Sequence, residues 1–192
     1  MAGRGTIAGA VAASLPVAIG LWLALRHGLP PIAADPMVFA LGCSGATVLL
    51  ALVPGIEAVA HERLFHASID PLAGRDSPRL VVNQRYVQNT LEQLVTLLPG
   101  LFLLAHYEAD LRVAAATAIV WTLGRWAFWI GYHIGPMWRG LGVFSMVLGQ
   151  LALLWGVGRF GFDLAGWAGT AALIAPYAAI EAFLFLVLRR PA

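Results

Sequence analysis

The sequence predicts an all-α integral membrane protein, a helical bundle of about six transmembrane helices. Composition is the first reason. Of 192 residues, 60% are hydrophobic and 11% charged, against about 45–50% and roughly 25% in soluble domains, and mean hydropathy is +0.79. The second reason is arrangement: the apolar residues form long runs separated by short polar stretches, and about 20 such residues span the hydrocarbon core as a helix. The third is that these runs are continuous instead of alternating with period two, which excludes a transmembrane β-barrel. High hydrophobicity with little charge also excludes a disordered chain.

Six spans follow in order. The first, about Thr6–Leu25, comes after a short Met-Ala-Gly-Arg head. It exceeds the 7–15 residues of a signal-peptide core, so it reads as a retained helix, ended by Gly28-Leu29-Pro30-Pro31. The second, about Pro36–Ala60, contains Cys43, which reads as packing. The connection from His61 to Arg79 is the longest and most polar, a natural functional loop, and it carries the breakers Asp70-Pro71 and Ser77-Pro78. The third span is about Leu80–Leu104. The fourth, about Leu111–Ile134, is closed by Gly135-Pro136. Arg139 opens the fifth, about Trp138–Val157, which the glycine-containing stretch from Gly158 to Asp163 ends. The sixth, about Leu164–Leu188, carries the lone carboxylate Glu181.

The net charge is +2 and the chain is basic, but all twelve basic residues are arginines. They are spread over loops and helix ends, so nucleic-acid binding has no support. Alternating sides at each span puts Arg4, Arg63, Arg75, Arg79, Arg85, Arg139, Arg189 and Arg190 on the N-terminal side. The opposite side receives Arg26, Arg112 and Arg159. The positive-inside rule then places both termini in the cytoplasm, in what reads as the cell's inner (plasma) membrane. A single cysteine permits no intrachain disulfide. His61 and His66, five apart, do not share a helix face as paired metal ligands would, so no metal is expected.

Charged and polar groups inside membrane spans are costly, about 2.5–3.5 kcal/mol for a charge on insertion scales, and are functional candidates by default. The densest set runs from Asn83 to Gln93. On a helix Arg85, Asn89 and Glu92 share one face, with Gln84 and Gln88 in an adjoining row. This face joins a bidentate cation, an amide and a carboxylate, which suits a zwitterionic ligand. Interhelical bonding is the structural alternative. In the fourth span Arg125, Phe128 and Tyr132 share a face. Arg125, deep in its span, needs an anionic partner, for which Glu92 is the candidate. Arg139, at the start of the next helix, sits where the dipole favours an anion, although a snorkelling arginine is the plainer reading. His133 reads as an interfacial side chain.

The run Arg85-Tyr86-Val87-Gln88-Asn89-Thr90-Leu91-Glu92, followed by Arg125, Tyr132 and Arg139, resembles the MAPEG family, the membrane-associated proteins of eicosanoid and glutathione metabolism. The resemblance covers about Pro36 to Val157. It implies a four-helix core over 36–158, with an extra helix and loop over 1–35 and an extra helix over 159–192. It further implies a homotrimer that binds glutathione as co-substrate between subunits. Arg85, Asn89, Glu92 and Tyr132 would hold the tripeptide, Arg125 would support them, and Arg139 would stabilise the thiolate. The implied function is a glutathione-dependent transferase or peroxidase acting on lipophilic electrophiles or lipid hydroperoxides that arrive from the bilayer. Three positions depart from many catalytic members: Val82 replaces an arginine, and Gln93 and Phe128 replace tyrosines. Arg63 is a loose match to a further ligand-contacting arginine. The alternative function is a non-enzymatic membrane scaffold, or a small-anion or lipid-binding protein without thiol chemistry.

Overall fold

The computed structural model describes residues 2–66, 69, 70, 72, 74–135 and 137–188. Pro71, Pro136, Arg189 and Arg190, used above as breakers or markers of sidedness, lie outside the described residues, as does the side chain of Arg4. The chain folds as α1 (Ala2–Gly28), α2 (Pro36–Thr47), a π turn (Val48–Leu52), α3 (Val53–Phe65), α4 (Pro78–Tyr107), α5 (Arg112–Ile134), a 3₁₀ turn (Trp138–Gly142) and α6 (Phe144–Leu188). Among the described residues there is no strand.

The helix starts are written in the sequence. Asp35 accepts from the backbone N–H groups of Met37 and Val38, at 3.0 and 2.9 Å, with Pro36 at the first helical position. Ser77 caps α4 through Leu80 N–H at 3.0 Å, again with proline following. A proline at the first turn loses no helical bond, and a cap oxygen satisfies otherwise orphaned donors.

The π turn has a local cause. Pro54 has no N–H to offer the carbonyl of Leu50, four residues earlier. Trp126 Nε1 donates to that carbonyl at 2.8 Å. Tyr86 Oη donates to the adjacent Ala51 carbonyl at 2.6 Å. Both carbonyls that the irregularity turns outward are therefore bonded from neighbouring helices, and α2, the π turn and α3 form one 30-residue crossing, Pro36–Phe65.

Helix α5 occupies the centre. Val113 to Ala118 are all buried, and further along Trp121 and Arg125 are fully enclosed. Helices α4 and α6 meet through glycines: a Cβ on Gly100 would lie 3.0 Å from Leu153 N, and one on Gly156 would lie 2.4 Å from Leu103 Cβ. Helix α1 rests on the 3₁₀ turn, where Gly140 faces the Ile7 carbonyl.

Among the described residues four helical stretches are long and apolar enough to cross a membrane: Ile7–Gly28, Pro36–Phe65, Arg112–Ile134 and Trp138–Leu188. Helix α4, with 30 residues, has the length but carries the polar face described above. The last stretch turns back on itself. Ala165 and Gly166 leave helical geometry, Gly166 at φ +61° and ψ −146°, a region open essentially to glycine alone. Beyond it Thr170 donates to the Gly158 carbonyl at 2.9 Å, which a straight helix twelve residues on would carry about 18 Å away. The bundle thus has six crossings, as the sequence implies. Two expectations are corrected. The break falls at 165–166, because the stretch from Gly158 to Asp163 continues the helix while Gly161 takes the opposing Gly169 at close range. Arg139 lies in the 3₁₀ turn ahead of α6, not at the start of that helix.

Candidate functional site

Helix α4 has two polar faces. Its inner row, Asn83, Tyr86, Thr90 and Gln93, repeats at three and four residues and is buried. Its outer row, Arg85, Gln88, Asn89 and Glu92, opens on a cleft of about 190 Å³, which Phe128 and Tyr132 of α5 and Arg139 of the 3₁₀ turn complete. Five of the six residues singled out from the sequence, Arg85, Asn89, Glu92, Tyr132 and Arg139, therefore line one cavity. Gln88 and Phe128 line it with them.

The outer row is linked along the helix. Arg85 Nη1 reaches Gln88 Oε1 at 3.4 Å, and Gln88 Nε2 donates to Glu92 Oε1 at 3.1 Å. Arg139 lies with its guanidinium carbon 5.7 Å from the centre of the Tyr132 ring, a cation–π contact that steadies the fork. Tyr132 in turn meets Phe128 edge to face at 5.8 Å. Among the described residues neither Arg85 nor Arg139 is in an ion pair, so their charge is directed at the cleft.

Arg125 stands apart from these five. It is fully buried behind Phe128, 4.5 Å from that ring and 5.4 Å from the ring of Tyr86. The expected pairing with Glu92 is not made. Arg125 Nε and Nη2 donate to Thr90 Oγ1 at 3.2 and 3.0 Å, and Nη1 has no partner. The reason is directional: Arg125 points between α4 and α5, where Thr90 faces inward, while Glu92 lies on the outer face.

Thr90 was not singled out from the sequence, and neither was the role of Ser145. Ser145 Oγ donates to Gln93 Oε1 at 3.0 Å, and Gln93 Nε2 donates to Asn89 Oδ1 at 3.2 Å. Asn89 thereby keeps its amino group for the cleft. Asn83 also gains a defined role, since its Oδ1 accepts from Trp129 Nε1 at 2.9 Å and pairs with His133 Nε2 at 2.9 Å. The signal available for these residues was the inward row of α4 at helical period, which the outward motif overshadowed.

The loop side of α4 is self-satisfied. Glu62, largely buried, accepts from Ser77 Oγ at 2.8 Å and lies 3.4 Å from Arg79 Nε and 3.8 Å from His66 Nε2. Cys43 lines a separate apolar hollow of about 230 Å³ between α2 and α5. Glu181 is exposed on the second arm of α6.

The MAPEG family profile matches residues 37–159, more than half of the chain. An uncharacterized protein of Synechocystis sp. is 40% identical over 79 residues, a stretch that makes up 37% of this chain and 57% of that protein. The chain thus matches a little over half the length of this relative. No solved structure matches.

Proposed function

The chain belongs to the MAPEG family, and on that premise we propose that it is a membrane-embedded glutathione-dependent transferase or peroxidase whose thiol site is the cleft between α4 and α5. The carrying observation is convergence. Two guanidinium groups, one carboxylate, two amides and a phenol, drawn from α4, α5 and the 3₁₀ turn, line the same cavity. Glutathione offers the complement: two carboxylates, one ammonium and a thiol.

In this reading Arg85 pairs with a carboxylate through its fork, Glu92 accepts from the ammonium, and Asn89 donates through its free amino group. Arg139, steadied on Tyr132, faces the sulfur. A thiol with an unperturbed pKa near 8.5 is mostly protonated at neutral pH, and a close guanidinium favours the thiolate, the nucleophilic form. The thiolate then attacks a lipophilic electrophile entering from the bilayer, displacing its leaving group or adding to its activated double bond. With a lipid hydroperoxide it instead breaks the O–O bond, leaving the lipid alcohol and a glutathione sulfenic acid that a second glutathione converts to the disulfide and water. Arg125, shielded by Phe128, adds positive potential without touching the tripeptide and acts as a positioning residue.

Two facts support completion of the site by a second copy, in the homotrimer the family implies. A cleft of about 190 Å³ is below the roughly 300–1,000 Å³ of most ligand pockets. Arg85, Gln88 and Glu92 are also exposed at a depth where lipid would otherwise meet them, beside the exposed Leu91 and Val95. We read 36–158 as the four-helix core, with α1 and the second arm of α6 as additions. Both termini are assigned to the cytoplasm of an inner (plasma) membrane.

The test is calorimetry of glutathione with the purified protein in detergent, comparing wild type with Arg85→Ala and Arg139→Ala. Saturable millimolar or tighter binding, weakened at least tenfold by Arg85→Ala, is expected. Arg139→Ala should abolish conjugation while the oligomer survives. A folded wild-type protein that binds no glutathione at cellular concentrations ends the transferase reading.

A further inference from the structure

Along the N-terminal half of α5, away from the thiol cleft, α1 and α6 run side by side without closing on each other. Two hollows lie along this seam, of about 330 and 310 Å³, and a third of about 630 Å³ opens beside them between the two arms of α6, with Arg159 in its wall. The hollows adjoin: the first two share Trp22 and Leu148, the second and third share Trp155, and Leu151 lines all three. Away from its polar end the seam is walled by apolar side chains that offer water almost nothing to hydrogen-bond.

The seam has a length and a polar end. From Leu15 to Arg26, α1 rises about 16 Å at 1.5 Å per residue, close to half of the roughly 30 Å hydrocarbon core. That is one leaflet's depth. Arg26 and Glu108 line the middle hollow at the ends of α1 and α4. Arg26 is stacked 5.4 Å over Trp22, whose Nε1 is anchored on Thr117 at 3.0 Å. Among the described residues neither Arg26 nor Glu108 is in an ion pair. The nearby Arg112 is already taken by Asp110 at 2.8 Å.

We propose that the seam between α1 and α6 is a binding site for one glycerophospholipid with an ammonium-bearing, zwitterionic headgroup, its phosphate at Arg26, its ammonium at Glu108 and its acyl chains in the apolar hollows. A fork of guanidinium donors suits phosphate, and the carboxylate beside it disfavours a headgroup of net negative charge. The site is independent of the thiol cleft. One path from it to the cleft runs through α1, whose Ile7 carbonyl and Ala10 pack on Gly140, next to Arg139.

Native mass spectrometry of the full chain decides the matter, after delipidation in detergent and exposure to equal amounts of dioleoyl phosphatidylethanolamine and dioleoyl phosphatidylglycerol. One phosphatidylethanolamine retained per chain, at least fivefold over phosphatidylglycerol, is expected. Arg26→Ala and Glu108→Gln should each lower that retention about tenfold, and Leu151→Trp should block it by filling the seam. Helical content and oligomer size serve as folding controls. If Leu151→Trp misfolds, the two variants at the polar end carry the test alone. Equal retention of both lipids, retention unchanged in the Arg26 and Glu108 variants, or a second chain occupying the seam would each overturn the proposal.

Discussion

The two polar faces of α4 are built from similar residues and do opposite things. On the inner face Asn83, Tyr86, Thr90 and Gln93 each find a partner on another helix or turn: Trp129 and His133, the Ala51 carbonyl, Arg125, and Ser145. On the outer face Arg85, Gln88 and Glu92 bond only along their own helix, and their remaining capacity points into a cleft. Asn89 bridges the two, accepting from Gln93 within while lining the cleft without. A polar residue in a membrane helix is therefore not by itself a mark of function. What separates structural from ligand-facing groups is whether the chain completes their hydrogen bonding.

That contrast is open to attack, beginning where the effect should be greatest. Thr90→Val removes the acceptor that holds two of the Arg125 donors, and a charge left without partners in a buried site costs about 3 kcal/mol or more. Denaturant or thermal titration in detergent should show the largest loss of stability here, and an unchanged midpoint would mean that Arg125 is held by something other than Thr90. Asn83→Ala strands the Trp129 and His133 donors and is expected to cost about 1–3 kcal/mol in the same assay. Glu92→Gln, on the outer face, should leave the stability of the fold within about 0.5 kcal/mol of wild type while weakening glutathione binding severalfold. A large stability loss there would collapse the distinction between the faces. The smallest effect is expected from Asp110→Asn, in the turn between α4 and α5. The Arg112 guanidinium, bonded to Asp110, holds its carboxyl below the usual carboxylate range, with Arg26 adding to the pull. A lowered folded-state pKa means that the contact contributes above the ordinary aspartate pKa of about 3.9 and is lost as pH falls through the lower folded value. The variant should thus be slightly less stable at neutral pH and should converge with wild type in acid.

Much of this was legible in the sequence, for identifiable reasons. Hydropathy located the crossings because the bilayer fixes their length. The Arg85, Asn89 and Glu92 row, with Tyr132 and Arg139 following, converges on one cleft because helical period places the first three on one face and the short path through Gly135 brings the fifth back onto it. The partner of Arg125 was missed because spacing along one helix says nothing about rotation relative to its neighbour, and Thr90 faces α5 where Glu92 does not. The site of chain reversal was displaced for a related reason. Glycines at 158 and 161 look like breakers in one dimension, but Gly161 provides close approach between antiparallel arms, and the backbones of Ala165 and Gly166 perform the turn. The π turn was not anticipated, although Pro54 was its signal.

The hairpin formed by α6 bears on how the protein is made. No described residue beyond Gly161 is buried, so the second arm meets the rest of the bundle chiefly through the first. Residues 144–188 then enter the bilayer as a pair, the first arm docking against α4 while the second follows as its companion. A chain released after residue 164 should still assemble the thiol cleft and the two hollows beside α1, because the groups that shape them are already in place, while the hollow between the arms of α6 would be lost. The last helix is accordingly the segment at which a fusion partner, a tag or a natural variation in length disturbs the molecule least.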